Sequence, residues 1–275
     1  MSLAIEHISW ALPAAKEAYK NREEIAGAWD KITALLFGKK KSIAFTGMAG
    51  VGKTVSFEHL TGKAYKQGYS PPPTSQAREG GKVSFQKKRI HITVIPGQDS
   101  PPRLEAVDEV FFGKKGVDGI IHVVSNGFVE LRDPVAKQVL VDNGLDTSEK
   151  YRQHQLGEEL RSLDSTCELV RQAIRRHRKP RWMLVAVSKA DLFYETITTV
   201  RQFYSPFGQS RFSDRLKQLR AQVGADNFQW DAAPTCAWLE DFDWNGEKVH
   251  SILKPNERDH FLGAFAKLLE TYCEQ

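Results

Sequence analysis

Apolar and polar positions alternate along this chain between two regimes. Short, continuous apolar runs of strand length recur, at Ser42–Thr46, Gly119–Val124, Trp182–Val187 and Phe228–Ala233. Between them lie longer stretches whose apolar residues return at helical spacing. Unbroken apolar runs of this length suit strands buried on both faces, as in a parallel sheet covered by helices. Lys82–Gln86 and Arg89–Ile95 are close enough to pair as a hairpin. Helices are predicted at about Lys53–Leu60, Arg103–Phe112, Gly157–Arg178, part of the stretch leading through Phe212 to Val223, and a closing helix marked by Leu262, Phe265, Leu268, Leu269 and Tyr272. A further helix, about Pro13–Phe37, carries Ala18, Ile25, Trp29, Ile32 and Leu36 on one face. That face either packs on the main domain or meets a partner or membrane surface. The expected organisation is a helical extension over residues 1–40 followed by one α/β domain over 41–275.

Two segments break the alternation. Gly68–Gly81 is rich in Pro, Ser, Gly and charge, and Pro71, Pro72 and Pro73 forbid helix, so an exposed, mobile loop is expected. The stretch of about 126–157 is polar without a defensible period and exceeds an ordinary connection, which marks it as an inserted lid or docking element.

The first strand ends in a glycine-rich turn, G-M-A-G-V-G-K-T from Gly47 to Thr54, and a helix follows. This is G-x-x-x-x-G-K-T in its required strand–loop–helix context. Backbone N–H groups around Gly47, Ala49, Gly50, Val51 and Gly52 would converge on phosphates, the Lys53 ammonium would meet the outer ones, and the Thr54 hydroxyl would face a magnesium ion. The helix start adds its positive dipole end. Ser188, Lys189, Ala190 and Asp191 follow another strand, where a carboxylate can accept two hydrogen bonds from a guanine edge; adenine offers no matching donor pair. Ser and Asp also suit a helix cap at that place. After the last strand, Thr235, Cys236, Ala237 and Trp238 could offer the Ala237 N–H to a base carbonyl.

These three motifs, with a fourth at Val94–Gln98, resemble in order those of the Ras-like small GTPases and the related translation-factor GTPases, from about Lys41 to the C-terminus. G-M-A-G-V-G-K-T matches the family's phosphate loop, S-K-A-D is similar to N/T-K-x-D with serine first, and T-C-A-W is similar to S-A-K. The resemblance implies a three-layer, mostly parallel sheet of six strands with the second antiparallel and helices on both faces. It also implies a guanine site formed by Ser188, Lys189, Asp191, Cys236, Ala237 and Trp238, with the Lys189 stem over the base. Trp238 replaces the usual lysine and either packs on base or ribose or is a surface-to-core aromatic. The loop holding Pro73 and Thr74 stands at the first switch, where Thr74 would add its hydroxyl to magnesium. Val94, Ile95, Pro96, Gly97 and Gln98 align with D-x-x-G-Q: Gly97 and the water-orienting Gln98 are kept, but Val94 replaces the aspartate that holds a magnesium-bound water. Thr54, Thr74 and the phosphates would then hold the ion with extra water.

The implied activity is a GTP/GDP switch that hydrolyses GTP slowly, with magnesium as cofactor. Two other classes remain: a scaffold that holds nucleotide without turnover, and an adenine-nucleotide P-loop enzyme, which S-K-A-D disfavours. Composition narrows little further. With 275 residues and 41% hydrophobic content the chain can bury a full core. A formal charge of +5 does not call for nucleic acid. Cys167, Cys236 and Cys273 lie far apart, with neither metal-ligand spacing nor a disulfide framework, which suits a reducing cytoplasm. No apolar run of about 18 residues is present for a membrane span. A protein partner is expected through the switch loops, the insertion or the N-terminal helix.

Overall fold

The structure is a computed structural model that describes residues 27, 42–61, 63–65, 69–70, 82–85, 88–97, 101–114 and 116–274. The expected N-terminal helix, the loop of Thr74, and Gln98 lie outside the described residues, apart from Gly27, which is helical.

The strands are β1 (Ser42–Thr46), β2 (Lys82–Phe85), β3 (Lys88–Val94), β4 (Gly119–Val124), β5 (Trp182–Val187) and β6 (Gln229–Pro234). They form one six-stranded sheet in the order β2-β3-β1-β4-β5-β6. Only β2 runs antiparallel, pairing with β3; the others are parallel. A second, two-stranded sheet joins β7 (Phe242–Trp244) and β8 (Glu247–Val249).

Seven helices are described: α1 (Lys53–Leu60), α2 (Pro101–Val107, ending in a π-helical turn Asp108–Phe112), α3 (Pro134–Asp142), α4 (Ser148–His177), α5 (Ile197–Tyr204), α6 (Arg211–Val223) and α7 (Pro255–Glu274). The period-2 rule of strands explains the three layers. Ile43, Phe45, Ile121, Val123 and Leu184 point to one face, where Phe57 and Leu60 of α1 and Phe265 and Leu269 of α7 cover them. Ala44, Ile120, Val124, Met183 and Val185 point to the other, against residues of α2, α4, α5 and α6 such as Val110, Leu163, Val200 and Leu216.

The stretch of about 126–157 differs from the sequence expectation. It contains α3, capped by Asp133 with Pro134 at its first turn, and α4 starts at Ser148 under a Thr147 cap rather than at Gly157. The buried positions of α4 step at helical intervals, but Gln155, Glu159 and Thr166 occupy three of them, so the apolar period is interrupted. The β7–β8 hairpin was also not expected. Its turn, Asn245–Gly246, has φ of 50° and 85°, the paired left-handed conformation that Asn-Gly favours.

Candidate functional site

The parallel strands β1, β3, β4, β5 and β6 deliver their C-terminal loops to one edge of the sheet, and a cleft of about 1220 Å³ opens there. Met48, Gly50, Lys53, Ser188, Asp191 and Ala237 are among its lining residues, so the phosphate loop and both base-loop segments share one cavity.

The loop between β1 and α1 keeps its shape through backbone geometry. Gly50 has φ of +79°, and a Cβ there would stand 2.3 Å from Glu130 O. Gly97, at the end of β3, approaches so closely that its Cβ would lie 2.1 Å from Ala49 N. Neither position accepts a side chain. The Lys53 ammonium, 8% exposed, donates to Gly47 O at 2.9 Å and Met48 O at 2.6 Å, which holds it across the loop it serves. Thr54 and Ala49 line the same wall, whereas Val51 is fully buried and contributes backbone alone. Arg103, from the first turn of α2, lines the cleft and donates to Pro96 O at 3.0 Å.

The loop after β5 is tied to the phosphate loop. The Ser188 hydroxyl lies 2.7 Å from Val51 O and 2.9 Å from Val124 O, so a serine suffices to join the two loops. Lys189 takes a left-handed φ of 59°, and its ammonium donates to Phe128 O at 2.7 Å. Burial lowers its pKa, while Glu130 and Asp191 oppose the shift.

Asp191 is 1% exposed. Its Oδ1 accepts from the Cys236 thiol at 3.2 Å, and its Oδ2 has no partner among the described residues. Desolvation and the adjacent carboxylate raise the Cys236 thiol well above its ordinary range, so it stays a protonated donor. Cys236 thus points at Asp191 rather than into the cleft. Ala237 is buried at the cleft wall, and Trp238 packs at 5.9 Å on Tyr69 and 6.4 Å on His59 while also lining the cleft.

The chain has a three-layer α/β fold in which a glycine-rich turn joins the first strand of a mostly parallel sheet to a helix. No family model matches it, and no curated protein matches it. Among solved structures it is similar to an ADP-ribosylation-factor-like small COPII coat GTPase, SAR1, from Encephalitozoon cuniculi in complex with GDP, at 16% identity and TM-score 0.42, over 92% of this chain and 87% of that one. It is similar to a dimerization-deficient Toc33 from Arabidopsis thaliana at 15% identity and TM-score 0.37, over 89% and 92%. It is also similar to the GDP form of the signal recognition particle receptor SRb from Chaetomium thermophilum, at 12% identity and TM-score 0.40, over 72% and 89%.

Val94 is 3% exposed and packs in the sheet core, where it offers no oxygen. No cluster of three or more His, Cys, Asp or Glu suited to a metal occurs among the described residues. Of the two hydroxyls expected to face a metal, Thr54 lines the cleft and Thr74 lies outside the described residues.

Sequence reasoning missed the partners that hold these loops. Glu159, Tyr151 and Arg152 of α4 grip the segment Ser125–Glu130, which crosses the phosphate loop: Glu130 N donates to Gly50 O at 3.2 Å. The hairpin turn Asn245–Gly246 was the legible signal for the second sheet.

Proposed function

We propose that this protein is a guanine-nucleotide-binding switch that hydrolyses GTP to GDP slowly. The observation that carries the reading is Asp191, a buried carboxylate with one oxygen unpartnered, set in the same cleft as the phosphate loop. A buried acceptor without a donor costs free energy until a ligand supplies one. A guanine edge, with two adjacent N–H donors, does so. The glycines Gly47, Gly50, Gly52 and Gly97 bring backbone to the phosphates, Lys53 neutralises the outer ones, and Ala237 N–H faces the base oxygen. Thr54 and Thr74 would hold the magnesium that accompanies the triphosphate, an ion that would supply neutralisation of phosphate charge. Gln98 orients the attacking water. A protein partner engaging the switch loops, the segment around α3 or the N-terminal segment reads the state. Among the described residues no helix is long and apolar enough to cross a membrane.

Asp191→Asn tests the reading. It reverses the donor pattern at the base, so GTP and GDP affinity fall at least about tenfold and xanthine-nucleotide affinity rises. Tight ATP binding by the unmodified chain, or GTP binding indifferent to the change, refutes it. A second reading, nucleotide held without turnover, is favoured by Val94 in place of a carboxylate. Single-turnover hydrolysis with and without magnesium separates the two.

A further inference from the structure

The segment Ser125–Glu130 leaves β4 as a strap across the phosphate loop, and almost every residue of it is tied. Ser125 N and Gly127 N donate to Glu159 Oε1 at 2.8 and 3.1 Å, and the Ser125 hydroxyl reaches the same oxygen at 3.2 Å. Asn126 O accepts from Arg152 Nε at 3.1 Å, and Val129 O from the Tyr151 hydroxyl at 2.8 Å. On its other side the strap serves the cleft, since Phe128 O holds the Lys189 ammonium and Glu130 N holds Gly50 O.

Glu159 is the unusual member. It is 1% exposed, no cation is paired with it among the described residues, and its second oxygen accepts from the Tyr204 hydroxyl at 2.8 Å. A carboxyl taken this far from water, toward a group with no charge partner, is held only because four donors converge on it. Nothing in the cleft's own chemistry requires a carboxyl at this depth in α4. What it does is fix two backbone amides of the strap.

We propose that Glu159 is a positioning residue for the nucleotide cleft, setting the strap Ser125–Glu130 and, through it, the Lys189 ammonium and the phosphate loop at once. The residence of guanine nucleotide then rests on a group in the middle of a helix that never touches the ligand. This deepens the guanine-nucleotide reading and rests on it for the ligand, though not for the loop geometry.

The test is a double-mutant cycle on GDP dissociation, followed with a fluorescent GDP analogue. Glu159→Ala is expected to speed dissociation about tenfold, and Glu159→Gln, which keeps an acceptor oxygen for both amides and lets Tyr204 rotate, to restore the rate within about twofold. In a Lys189→Ala background Glu159→Ala should have a smaller effect, because the link from Phe128 O to Lys189 is already gone and only that from Glu130 N to Gly50 O remains. Equal effects in both backgrounds, or no rescue by glutamine, overturn the proposal.

Amide hydrogen exchange of nucleotide-free protein supplies an independent readout. Amides of residues 47–52 should exchange faster in Glu159→Ala, and unchanged protection there overturns the proposal as well. Should that variant not fold, Arg152→Ala releases Asn126 O of the same strap and carries both readouts. If the unmodified chain binds no GDP, the guanine reading falls, while the exchange result still decides the role of Glu159.

Discussion

Val94 shows how one side chain sets the terms for a whole site. It ends β3, pairs in register with Phe45 of β1, and is sealed in the core that α1 and α7 cover. The position that the motif resemblance aligns with a metal-site carboxylate is occupied by a packed core residue. That substitution has a checkable thermodynamic signature. Val94→Asp places a carboxylate without a cation in the core of the nucleotide-free protein, which should lower its stability by roughly 3 to 5 kcal/mol. Magnesium and GTP together should return part of this, about 2.7 kcal/mol when ligand stands at a hundredfold its dissociation constant. Denaturant melts with GTP alone, with magnesium alone and with both measure it. Recovery that is the same without magnesium would show that position 94 does not face the ion. Asp191 makes the complementary case. It is held by one thiol donor and left one donor short, so the guanine-binding role proposed for it rests on what is missing around it rather than on motif spelling.

At the scale of elements, the start of α4 and the β7–β8 hairpin form a small aromatic-cored unit at the cleft. Tyr151 stacks on Trp244 with ring centroids 3.5 Å apart, Phe242 meets both Tyr151 and Phe128, and Trp244 Nε1 donates to Leu145 O. Lys137 of α3 joins from outside, over the Trp244 ring and opposite Asp243. Trp244→Ala should therefore cost about 3 to 5 kcal/mol of stability and loosen Tyr151, hence the strap. A melt that shifts while GDP release stays unchanged would confine the unit to a structural role. The sheet itself was legible in the sequence, because buried parallel strands write themselves as continuous apolar runs bounded by turns. The phosphate loop was legible because its glycines sit where backbone must approach backbone. The first turns of α4 were not. Glu159 and Thr166 take core positions for the sake of hydrogen bonds, Gln155 lines the cleft, and Gly157 sits on the helix with open space where a Cβ would stand. A hydrophobic period cannot register a face that is buried but polar. The cleft's second ring of support was hidden for the same reason, since its donors and acceptors meet across 22 to 34 residues of sequence.

The whole molecule carries a titration that follows from its layering. His122 lies in the central strand β4, fully buried between the sheet and the helices of the α4 side, and Phe212 of α6 stands 6.4 Å from its ring. Its Nδ1 meets the Thr46 hydroxyl at 2.9 Å, and its Nε2 has no partner among the described residues. Desolvation first, and the Lys53 charge second, lower its pKa from 6.5 to about 3. The sign follows directly. Between these values the unfolded chain binds a proton on His122 that the folded chain refuses, so stability falls as pH drops below 6.5 and stops falling on this account near 3. The slope contributed approaches about 1.4 kcal/mol per pH unit, or roughly 2 kcal/mol between pH 6.5 and 5. Glu159 acts oppositely, because burial raises its pKa above 4.5 despite its four donors, and its contribution declines as pH rises through that folded value. The two are separable by variant. His122→Asn removes the first titration and leaves the second, so in urea melts from pH 7.5 to 4.5 the stability of the wild type should fall relative to the variant's as pH drops. Parallel curves would mean that the folded core admits the proton. Because β4 borders both β1 and β5, such admission would open the sheet directly beneath the phosphate loop.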